Sequence, residues 1–236
     1  MNNILKITKL HFTALFRVQA ISCSAVLLLH ILISVAVLKL VGPARPAGVG
    51  DFIALCWIFI IGLVFFSASF KYTLSLGISR KRFFLAGNLS IALLAALFAV
   101  LVVIFYVINL WVSNVWMLYP MIYKNQDLFA LIVWEFAALL LLGVLAWCIR
   151  LVYYVSNRNI KFIVSIAPFI LAALLILFNA LVHGGMGRTL LEFIKILMGL
   201  SGAVPNPHIG TISMLAAAII LSGPIFLLLR RAQIND

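Results

Sequence analysis

Apolar residues fall along this chain in six long runs: Ala20 to Leu40, Phe52 to Phe70, Phe84 to Val112, Leu128 to Ile149, Phe162 to Val182 and Ile209 to Leu229. A helix needs about 20 apolar residues to cross the hydrocarbon of a bilayer, so each run predicts one transmembrane helix. The run from Phe52 to Phe70 carries no charge. The third is longer than a crossing requires and predicts tilt, or projection past the bilayer. Away from the run ends, only the fourth holds a formal charge, Glu135.

The segments between runs have patterns of their own. From Ile4 to Gln19, a turn of 100° per residue gathers Lys6, Lys9, Thr13 and Arg17 into one polar stripe, with Ile4, Ile7, Leu15 and Val18 opposite. A basic amphipathic helix of this kind rests at headgroup level, so residues 1–19 predict an interfacial helix. Residues 71–83 join the second and third runs. There Gly77 interrupts the helix, Ser79 is placed to cap the next turn, and Arg80, Lys81 and Arg82 precede Phe83 and Phe84. The pattern predicts a short helix held against the membrane surface.

Residues 183–208 form the longest segment before the sixth run. Gly184, Gly185 and Gly187 break the fifth run, after which Thr189, Glu192 and Lys195 recur every third residue among apolar neighbours. This helix is too short and too charged to span, so it predicts a re-entrant or interfacial element. Gly199, Gly202, Pro205 and Pro207 end it.

Composition strengthens the membrane reading. The chain is 66% hydrophobic and 9% charged, with a mean hydropathy of +1.27, whereas a soluble domain carries roughly 25% charged residues. The 236 residues therefore read as one all-α membrane domain. Net charge is +12, yet no separate basic domain exists to hold nucleic acid. Basic residues concentrate instead on one side of the predicted spans: Lys6, Lys9, Arg17, Lys71, Arg80, Lys81, Arg82, Arg150, Arg158, Lys161, Arg230 and Arg231. The other side has Lys39, Arg45, Lys124, Arg188 and Lys195, together with Asp51, Asp127 and Glu192. The positive-inside rule then places both termini in the cytoplasm of a multi-pass cell-membrane protein.

Chemistry-bearing motifs are few. Cys23, Cys56 and Cys148 lie inside apolar runs without metal-ligand or disulfide spacing. Lys6, Lys9 and Arg17 interrupt what would be a secretory leader. The sequence contains no phosphate-binding G-x-x-x-x-G-K-[ST], no H-E-x-x-H and no G-x-S-x-G. His11, His30, His183 and His208 do not cluster along the chain. The expectation is a protein without catalytic residues, cofactor or metal of its own. Glu135 and His30, both within apolar runs, are the candidate polar groups of a pathway. Each is equally readable as a helix-packing hydrogen bond.

An N-terminal amphipathic helix, six spans, a basic segment between spans two and three and a re-entrant helix before span six together resemble the ABC-2 type permeases, the membrane subunits of one class of ABC exporter. The stretch from Leu76 to Leu89, with Gly77, Ser79 and Arg80 ahead of Phe83 and Phe84, is similar to that family's first cytoplasmic loop. The resemblance implies a coupling segment formed by Gly77, Ser79, Arg80, Lys81, Arg82 and Phe83, which docks on a separate ATP-binding subunit. It also implies pairing with a second permease subunit, identical or different, and ATP bound by the partner alone. Apolar, aromatic-rich spans suit an amphipathic peptide, lipid-like or hydrophobic cargo. Two other readings stay open on the residues: a proton-coupled secondary transporter using Glu135 and His30, and a non-transporting assembly or immunity partner of another membrane protein.

Overall fold

A computed structural model describes residues 50–75, 77–112, 117–124, 127–166, 185–202 and 204–232. The expected interfacial helix at 1–19, the first run with His30, and all but the start of the fifth run lie outside these residues.

The described residues are helical and contain no strand. We number the helices α1 (Gly50–Ser75), α2 (Arg80–Val112), α3 (Leu118–Tyr123), α4 (Leu128–Val155), α5 (Gly185–Leu197) and α6 (Pro207–Arg231). Residues 158–166 are also helical. Local chemistry sets the starts of the long helices. Asp127 caps α4 by accepting from the Phe129 amide at 3.0 Å. Asn206 caps α6 by accepting from His208 N at 3.0 Å, and Pro207 occupies the first helical position, where its missing N–H is no loss.

Three stretches, Arg80–Ile108, Leu128–Val155 and Pro207–Arg231, are long and apolar enough to cross a membrane, and Asp51–Val64 is a shorter apolar helix. The protein is membrane-embedded. With a rise of about 1.5 Å per residue, α4 is roughly 42 Å long, more than the hydrocarbon core of about 30 Å. Its last turns therefore carry Arg150 toward a polar boundary.

Helix α4 is the hub, packed against α1, α2 and α6. Lipid tails are as apolar as these side chains, so helices associate through close packing and small residues. Gly62 of α1 and Gly143 of α4 show this directly. A Cβ on Gly62 would lie 2.6 Å from the Gly143 carbonyl oxygen and 2.7 Å from the Ala146 Cβ. On one side of this crossing, Ala54, Ile58, Phe98, Tyr119, Leu131 and Trp134 belong to one buried cluster. On the other, Phe70, Phe83, Trp147, Leu151, Ile225 and Leu229 form a second.

The ends of the bundle differ in charge. One gathers the C-terminal ends of α1, α4 and α6 and the N-terminal end of α2, with Arg80, Lys81, Arg82, Arg150, Arg158, Lys161, Arg230 and Arg231. The other gathers the reverse ends, with Asp51, Asp127 and Glu192 among fewer cations.

One boundary differs from the sequence reading. No separate helix occupies 71–83: α1 runs on past Lys71 to Ser75, and the basic triplet forms the first turn of α2. A helix satisfies its own backbone N–H and C=O groups whatever its side chains, so the polar residues after Phe70 do not by themselves end it. In 183–208, Gly185 and Gly187 belong to the first turn of α5, while Gly184 and the end of the fifth run lie outside the described residues. The first turn of a helix makes few internal bonds, so glycine is tolerated there.

Candidate functional site

The turn between α1 and α2 brings Gly77, Ser79, Arg80, Lys81, Arg82 and Phe83 together as a contiguous unit. Gly77 adopts φ 71°, which an L side chain resists and glycine accepts. Its N–H donates to Leu74 O at 2.9 Å, while the Ile78 N–H donates to Thr73 O at 3.2 Å. That pair of bonds terminates α1 in a Schellman turn. Two residues later Ser79 restarts the helix, its Oγ accepting from the Arg82 amide at 3.4 Å. The connection is therefore tight and well bonded.

Its side chains point in two directions. Ser79, Lys81 and Arg82 are exposed. Arg80 donates to the carbonyl oxygen of Arg230, which ties the start of α2 to the last turn of α6. Phe83 is fully buried, its ring edge-on to Phe70 at 5.4 Å and to Trp147 at 6.5 Å. Phe84 stacks on Trp147 at 6.1 Å and meets Phe226 at 5.2 Å. Thus the exposed cations sit on a rigid aromatic anchor that joins α1, α2, α4 and α6. Cations in the first turn of a helix also oppose its macrodipole, which favours acids there by about 0.3–1 kcal/mol each.

Glu135 lies in the other half of the bundle. It is fully buried in α4, and neither carboxylate oxygen has a hydrogen-bond partner among the described residues. The second acid there, Asp51, was not singled out by sequence and is also fully buried. Its Oδ1 accepts from the Phe52 amide at 3.1 Å and its Oδ2 from the Leu118 amide at 2.5 Å. Asp51 thereby satisfies an amide in the first turn of α1 and holds the first residue of α3, whose own N-cap residue, Met117, supplies no side-chain bond. Measured by helix rise from the Gly62–Gly143 crossing, Asp51 stands roughly 16 Å and Glu135 roughly 12 Å toward the same end.

Helix α3 joins Asp51 of α1 to Trp134 of α4. Tyr119, next to Leu118, lies 5.9 Å from Trp134 between ring centroids, and Tyr123 lies 5.3 Å from Tyr119 and 6.3 Å from Trp134. The Tyr123 hydroxyl donates to Met198 O at 2.8 Å, fastening α3 to the turn between α5 and α6. Burial raises the Tyr123 phenol above its ordinary range, which keeps it the donor. The only sequence signal for Asp51 was its place at the head of an apolar run. The three rings carried none.

No known protein family, curated protein or solved structure matches the chain.

Proposed function

We propose that the chain is the membrane permease subunit of an ATP-driven exporter of the ABC-2 type. In this reading it has six spans, an interfacial helix at 1–19 and a re-entrant α5. Its basic end and both termini face the cytoplasm, it pairs with a second permease subunit, and it carries amphipathic or lipid-like cargo.

The observation that carries the reading is the α1–α2 turn. Positive-inside topology accounts for cations at that end of the molecule. It does not account for three of them in the first turn of a helix, where the dipole opposes each one. A local conflict of this kind points to a functional demand, and docking on an acidic surface of an ATP-binding subunit supplies one. The turn is also built to transmit force. Arg80 holds α6, Phe83 and Phe84 engage the aromatic anchor, and a push on Ser79, Lys81 and Arg82 would move α2 and α6 together. Nucleotide binding at the partner would then shift the helices as rigid bodies.

The test is affinity purification of the full chain from its native host, followed by measurement of Mg-ATP hydrolysis in the isolated complex. A bound ATPase is expected, and reversing charge with Lys81→Glu and Arg82→Glu should release it while helical content stays native. Unchanged yield and unchanged hydrolysis in the double variant would overturn the coupling role.

A further inference from the structure

Burying one carboxylate without a counter-charge is costly, and burying two close together compounds the cost. Asp51 and Glu135 are both fully buried, on α1 and α4 within about one helical turn of the same level. The single ion pair among the described residues is Lys195 with Glu192, so neither acid has a basic partner there. Asp51 spends its two oxygens on backbone amides. Glu135 spends neither.

We propose that Asp51, Glu135 and the rings of Tyr119, Tyr123 and Trp134 form a recognition site for the charged head of an amphipathic organic cation. This rests on the permease reading and names its cargo class. A buried carboxylate without hydrogen bonds lacks a cation and a polar contact at once, and a ligand carrying a positive charge supplies both. Trp134 precedes Glu135, and Tyr119 follows the Leu118 amide that Asp51 holds, so these rings, with that of Tyr123, would add attraction for a cation within about 6 Å of a centroid. Diffuse organic cations lose less hydration on entering such a place than a compact metal ion, and an apolar tail would lie among the surrounding helices.

The experiment uses the full chain in phosphatidylcholine nanodiscs, where adsorption to anionic lipid is absent. Equilibrium binding of tetraphenylphosphonium is measured against triphenylphosphine oxide, an uncharged analogue. Saturable binding of the cation is expected, at least about tenfold weaker in Glu135→Gln, weaker in Asp51→Asn, and largely retained in Glu135→Asp. Asp51→Asn keeps one acceptor, which can still serve Leu118, and loses the negative charge together with the Phe52 bond; it decides the matter if Glu135→Gln does not fold. No saturable binding, equal binding of the uncharged analogue, or native binding in both neutral variants would overturn the site. ATPase association is measured on the same preparations. Lost cation binding with the ATPase still attached removes the cargo class alone. Intact cation binding without any ATPase removes the permease reading alone.

Discussion

Gly77 is held at φ 71° with nothing within 4 Å of the place where a Cβ would stand, so a substitution there is strained by conformation and not by crowding. A residue other than glycine in this region costs about 1–2 kcal/mol. Gly77→Ala should therefore lower the thermal midpoint in detergent, and Gly77→Asn should lower it less. Gly62 is the opposite case, crowded and not strained. Gly62→Leu must push α1 off α4 against the Gly143 carbonyl, and overpacking of this kind costs typically about 1–3 kcal/mol. Gly223→Ala, which meets nothing within 4 Å in the interior of α6, is the control and should not lower the midpoint, since alanine suits a helix interior better than glycine by about 1 kcal/mol. If variants at all three glycines unfold alike, the packing account of the α1–α4 crossing fails. Gly77 and Ser79 were legible in the sequence because their roles are local, set by neighbours a few residues away. Asp51 was not, because its second bond reaches Leu118, and nothing in an isolated acid says which distant amide it will hold.

At the scale of elements, long apolar runs announced α1, α2, α4 and α6, since a membrane helix needs only length and apolarity to be recognised. Helix α3 gave no such signal. It has six residues, too few for a period, and Pro120 within it reads as a breaker. Its place comes from tertiary bonds, chiefly Asp51 to Leu118 and Tyr123 to Met198. Tyr123→Phe removes the second and leaves the ring packing against Trp134 intact. One neutral hydrogen bond is worth about 0.5–1.5 kcal/mol net, so amides in the α5–α6 turn should exchange with solvent roughly fivefold faster, read by hydrogen–deuterium exchange. The same bond has a defined pH dependence. Because burial raises the Tyr123 phenol, its contribution is complete below the ordinary phenol range near 10 and is lost only as pH rises through the higher folded value. Protection of the turn should thus persist through that range in the native protein. An earlier loss, matching an exposed phenol, would count against the buried geometry.

For the whole molecule, the charge pattern and the helix packing agree on two distinct ends, though they come from independent sources. The first is a count of basic residues between apolar runs; the second is the bonding of Arg80 to Arg230 at one end and of Asp51 to Leu118 and Tyr123 to Met198 at the other. Sequence alone could sort the cations because insertion acts on loops near span ends, which are local in the chain. It could not bring Glu135 level with Asp51, since that depends on how α1 and α4 cross. The orientation is then open to a direct test on the intact chain. Cys23, Cys56 and Cys148 are first replaced by serine or alanine, and single cysteines are introduced by Ser79→Cys and Asn206→Cys. Both positions are exposed, so differences in labelling report sidedness and not burial. A membrane-impermeant maleimide applied to intact cells should label position 206 and spare position 79 until the membrane is opened. The two sites lie at opposite ends of the described bundle, so labelling of both from outside is incompatible with the packing as well as with the charge rule. Labelling of position 79 alone would keep the packing and invert the protein. That result would place Lys81 and Arg82 where no cytoplasmic ATPase reaches them, and the permease reading would fall with it.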